Sequence, residues 1–143
     1  MDDLMEAIEK GATLAELQGV TQEMGDAIAA LAEAELAEGR IDAARAILEG
    51  LVVTNPKDAR AWTLLSRAHR RLGQPLAGRF CAEVALNVAP SDPHARLARA
   101  ESCLATPGAQ GEAREDLAAI AGDEVVGPRA RALLLALPAR DPA

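Results

Sequence analysis

The side chains able to do chemistry in this chain are few and badly placed for catalysis. His69 and His94 have no cysteine or carboxylate at the spacing of a metal site. Cys81 and Cys103 form neither a CxxC pair nor a disulfide framework, and they read as small buried hydrophobes in a reducing compartment. There is no GxxxxGK[ST] loop and no GxGxxG, so nothing signals a phosphate cradle. The acidic neighbours Glu33/Glu35 and Glu115/Asp116 read as solvated helix face, not as an acid–base pair. No catalytic residue, metal ligand or cofactor is therefore expected, and the chain is read as a non-enzyme. What remains is recognition. Arg60, Arg67 and Arg71 fall on one helix face by i, i+7, i+11 spacing, and guanidinium groups there can grip the carboxylates or carbonyls of a bound segment.

The composition says what must hold these arginines. Of 143 residues, 33 are alanine and 19 leucine, while the only Trp and Phe are Trp62 and Phe80 and there is no Tyr. Alanine is the best helix former, and β-branched and aromatic residues suit strands, so an all-α fold is expected. One domain with a real core fits this length. The net charge of −7 argues against a nucleic-acid partner. It is unevenly spread: residues 59–111 carry seven arginines against three acidic groups, whereas residues 1–58 carry thirteen acidic groups against four basic ones. No apolar run is longer than the six residues of Ala132 to Leu137, far too short to span a membrane. The acidic start Met1-Asp2-Asp3 is unlike a secretory signal, and a cytoplasmic location is expected.

Punctuation recurs with one period. Gly39 and Gly73, Pro56 and Pro90, Leu31 and Leu65, Ala34 and Ala68, and Leu51 and Ala85 are each 34 positions apart. That period marks tetratricopeptide helix–turn–helix repeats. Repeat 1 spans 25–58 (Ile28, Leu31, Ala32, Ala44, Leu48, Leu51) and repeat 2 spans 59–92 (Trp62, Leu65, Ser66, His69, Gly78, Ala82, Ala85). Repeat 3, degenerate over 93–127, is expected to carry one extra residue near Ser91-Asp92-Pro93. Residues 1–24 form an N-terminal helical segment. Residues 128–143 supply a capping helix, with Ala130, Leu133, Leu134 and Leu137 on its apolar face, and a tail. The expected fold is thus a three-repeat solenoid with N-terminal helices and a C-terminal cap.

The order of these pieces resembles a known family, the class II chaperones of bacterial type III secretion, which serve the pore-forming translocators. The stretch Ile8-Glu-Lys-Gly11-Ala-Thr13-Leu14, then Gly39-Arg40-Ile41-Asp42-Ala43-Ala44, then Glu101-Ser-Cys103-Leu104 with Gly108 and the helix Ala130–Leu137, is similar to that family over roughly residues 5–137. The resemblance implies a cytoplasmic, non-catalytic protein that holds an extended translocator segment in its concave groove and keeps it soluble for export. It also implies self-association through an N-terminal segment, with Leu4, Met5, Ile8, Leu14 and Leu17 as the candidate residues. Groove candidates are Ala29, Glu33 and Leu36 from the first repeat, Arg60, Thr63, Arg67 and Arg70 from the second, and Arg99 from the third. Where the family places aromatics in the first repeat helix, this chain has Ala29, Glu33 and Leu36, which predicts a shallow, partly charged groove. A tetratricopeptide scaffold in another bacterial assembly is the alternative.

Overall fold

The computed structural model describes residues 5, 6, 11, 19 and 21–138. Seven helices lie within 21–138: α1 (Gln22–Ala37), α2 (Ile41–Thr54), α3 (Ala59–Arg71), α4 (Pro75–Val88), α5 (Pro93–Leu104), α6 (Gln110–Ile120) and α7 (Gly127–Ala136). Among the described residues there is no strand.

The helix ends repeat because their local chemistry repeats. Thr21, Asp58 and Asp92 cap α1, α3 and α5 through side-chain oxygens that accept from Met24, Ala61 and His94 backbone N–H groups. After α1, the Arg40 N–H reaches the Glu35 carbonyl and the Gly39 N–H the Leu36 carbonyl, at 2.9 and 3.1 Å. After α3, Gln74 to His69 and Gly73 to Arg70 repeat the pattern at 2.9 and 3.0 Å. This double closure needs a left-handed residue, which Gly39 and Gly73 supply with φ of 80° and 78°. The N–H groups of Asn55 and Ala89 end α2 and α4 on the carbonyls of Leu51 and Ala85, both at 2.8 Å.

The extra residue of the third repeat sits elsewhere than expected. The caps Asp58 and Asp92 keep the 34-residue register, as do the buried pairs Ala61/Ala95, Leu64/Ala98 and Ser66/Ala100. The turn glycines do not: Gly73 is followed by Gly108, one position late. The insertion therefore lies in the turn after α5, where no packed helix face has to shift to accommodate it.

Helices pair as α1/α2, α3/α4 and α5/α6, and the first helices also meet one another, α1 against α3 and α3 against α5. This is the nearest-neighbour stacking of a solenoid. Ala29, Ala32, Leu36, Ala44, Leu48, Leu51, Ala61, Leu64, Leu65 and Ala68 pack together at the N-terminal end. Ala100, Cys103, Ala113, Leu117, Ile120, Val126 and Ala130 pack the C-terminal end, and α7 covers it. Trp62 joins the first cluster to a smaller one, Ala85, Leu86 and Ala95. In α1 the core face is Ala29, Ala32 and Leu36. Ile28 and Leu31, expected among the repeat's packing positions, are 37% and 56% exposed because they lie about 70° and about 130° around the helix from the centre of that face.

Three helices come together closely around Gly78. A Cβ there would stand 2.8 Å from Ser102 Oγ and 2.9 Å from the Ser66 carbonyl, so α3, α4 and α5 meet where only a missing side chain leaves room.

Candidate functional site

The first helices, laid side by side, leave an open cavity of about 620 Å³ on the concave side. Helix α3 supplies Arg60, Thr63, Leu64, Arg67 and Arg70 at i, i+3, i+4, i+7 and i+10, one continuous face. Glu33 comes from α1, Leu97, Ala98 and Glu101 from α5, Asp92 and His94 from its N-terminal end, and Arg129 from α7. Thr63 and Leu64 are buried in the floor, where the Thr63 hydroxyl donates to the Ala59 carbonyl at 2.9 Å.

Most of the charge in the cavity is already paired. Arg60 Nη2 bonds Glu33 Oε2 at 3.0 Å, linking α3 to α1. Arg70 and Arg129 converge on Glu101 Oε2 at 3.5 and 3.4 Å, linking α3, α5 and α7. Asp92 Oδ1 accepts from the His94 backbone N–H at 2.9 Å and so serves the end of α5. Arg67 has no hydrogen-bond or ion-pair partner among the described residues. No metal-holding group of His, Cys, Asp and Glu occurs among them either.

Of the groove candidates, Glu33, Arg60, Thr63, Arg67 and Arg70 line this cavity together. Ala29 and Leu36 do not, because both are fully buried between helices. Arg99 is on another face. Its Nε and Nη2 hold Asp116 Oδ2 and Oδ1 at 2.7 and 2.8 Å, and it borders a separate cleft with Arg79, Cys103 and Glu112. The period itself excludes it: position 99 corresponds to Leu65, a core position, and position 101 corresponds to Arg67. Arg71 also leaves the row, donating to the Leu36 carbonyl at 2.7 Å. Met5 is exposed, while Leu4, Ile8, Leu14 and Leu17 lie outside the described residues. Sequence reasoning missed Leu64, Asp92, His94, Leu97, Ala98, Glu101 and Arg129. All but Asp92 and Arg129 could have been found by adding 34 to a groove position or by continuing its helix face, since Arg60, Thr63, Leu64 and Arg67 map onto His94, Leu97, Ala98 and Glu101.

A tetratricopeptide-repeat family model matches residues 11–68. No curated protein matches the chain. Among solved structures it is similar to the type III secretion translocator chaperone SycD of Yersinia enterocolitica, with a TM-score of 0.77 and 21% identity over 89% of this chain and 99% of that one. A type III secretion complex from Aeromonas hydrophila aligns with a TM-score of 0.80 and 20% identity over 95% of each chain. Yersinia SycD in complex with a peptide of the translocator YopD aligns with a TM-score of 0.69 and 19% identity, over 82% of this chain and 94% of that one. The chain is thus a tetratricopeptide-type helical solenoid. It has the fold of SycD.

Proposed function

We propose that this protein is a cytoplasmic bacterial secretion chaperone. It binds an extended segment of an exported translocator-type protein in the concave groove and keeps that cargo soluble and export-competent, performing no reaction. The observation that carries this reading is the open concave cavity, on a fold shared with a chaperone solved with a translocator peptide. An extended segment crossing neighbouring first helices can set alternate side chains between them, and main-chain groups can meet the polar rim. Self-association through Leu4, Met5, Ile8, Leu14 and Leu17 is part of the same reading.

Co-expression with the exported hydrophobic proteins encoded beside its gene, followed by affinity capture, tests the assignment. A stable complex that prevents cargo aggregation is expected. Failure to capture any of them would overturn it. The lack of a Phe, Tyr or Trp among the residues lining the cavity favours a second reading, a scaffold in a different assembly. Capture of a non-exported assembly component in place of the translocators would establish that alternative.

A further inference from the structure

Resting on the groove reading above, we infer that the groove selects a segment carrying an internal Asp or Glu, whose carboxylate seats on Arg67. Four guanidinium groups line the cavity, and three are engaged: Arg60 by Glu33, and Arg70 and Arg129 by Glu101. With Asp92 capping α5, every carboxylate in the lining has a partner and one cation is left over. The groove thus carries net positive charge in a chain whose total is −7.

The position of Arg67 makes the surplus selective. Residues 33, 67 and 101 occupy the same place in consecutive first helices, so Arg67 stands at the centre of the row. Glu33 and Glu101 flank it, each drawn to another arginine. Half-buried over Leu64, Arg67 has lost part of its hydration without gaining a partner, a cost that a carboxylate arriving in two-pronged geometry removes. A lysine side chain at the same place would meet like charge. The floor of Leu64, Leu97 and Ala98 is shallow and aliphatic, suiting small aliphatic neighbours on the bound segment. First helices about 10 Å apart give a crossing of about 20 Å, or about six extended residues. A carboxylate at the centre of that crossing belongs to a side chain within the segment, not to a chain end.

The test uses fluorescein-labelled, C-terminally amidated decapeptides of Ala, Leu and Ser, with Glu, Gln or Lys placed at each position in turn. The full chain is titrated by fluorescence anisotropy. A central Glu should bind about tenfold tighter than Gln, the scale of a charge-assisted bond. Arg67→Gln should erase that difference, Arg67→Lys should keep part of it, and Arg67→Glu should turn the preference toward Lys peptides, all with unchanged circular dichroism. If Glu and Gln peptides bind equally, the inference falls and the groove reading stands. If a free terminal carboxylate binds best, the internal site is wrong. If no decapeptide binds and co-expressed cargo is not captured either, both readings fall.

Discussion

Arg99 grips Asp116 through two parallel hydrogen bonds of 2.7 and 2.8 Å, and the side chain of the acid it holds is only 6% exposed. Arg96 approaches the same carboxylate at 3.5 Å, so α5 is tied to α6 by two guanidinium groups on one buried acid. Hydrogen bonding to Asp116 holds the Arg99 guanidinium above its ordinary range. The arrangement resembles a binding site in its residue types but serves as a clasp between helices.

Arg99→Ala should therefore cost stability and leave the groove intact. Truncation leaves a buried carboxylate with one long contact, and a loss of about 2 kcal/mol is expected, below the full cost of an unpaired buried charge because Arg99 is itself partly exposed. Urea denaturation measures it. A stability change near zero, or loss of cargo binding without loss of stability, would contradict the clasp.

Gly78→Ala should destabilise by about 1–3 kcal/mol, despite the better helix propensity of alanine. The new methyl collides with Ser102 Oγ and the Ser66 carbonyl, and the second of these is backbone that cannot swing away. Ser102→Ala should be close to neutral or stabilising, because the Ser102 hydroxyl is buried without a partner. Thermal melts of the two variants beside the parent protein check this ordering.

Trp62→Ala should cost about 3 kcal/mol. The indole is only partly buried, yet it bridges two core clusters and its Nε1 donates to the Pro56 carbonyl at 2.8 Å. Trp62→Phe keeps most of the packing and loses the hydrogen bond, so a loss of about 1 kcal/mol is expected. Guanidinium unfolding followed by far-ultraviolet circular dichroism distinguishes the two.

Burial pushes the Cys81 thiol up to about 11 from an ordinary 9.0, and burial raises Cys103 as well. Both should resist a thiol-specific disulfide reagent at pH 8 and react once urea is added, since the thiolate is the nucleophile. The linkage has a definite sign. A thiol whose folded value is raised releases its proton first in the unfolded chain, so stability should fall as pH climbs from about 9 to about 11. Cys81→Ala should flatten that fall. A wild-type protein whose stability is level across this window would refute the assignment.

How much was legible in advance follows from the kind of constraint involved. The solenoid was readable because its signals are local and periodic: Gly39 and Gly73 close helices, and the runs of Ala and Leu can only pack as close helix pairs. The charged character of the groove was readable from Arg60, Thr63, Arg67 and Arg70, which share a face by helical spacing alone. Two things were not. Whether Ala29 and Leu36 face the groove or the core depends on the rotation of α1 against α3, which a helical pattern by itself leaves open. Which arginine stays unpartnered depends on carboxylates distant in the chain: Glu33 for Arg60, Glu101 for Arg70 and Arg129, and Asp116 for Arg99. Periodicity sets which side chains share a helix face, whereas pairing between helices is decided only when they stack, because charge and burial act through space and not along the chain.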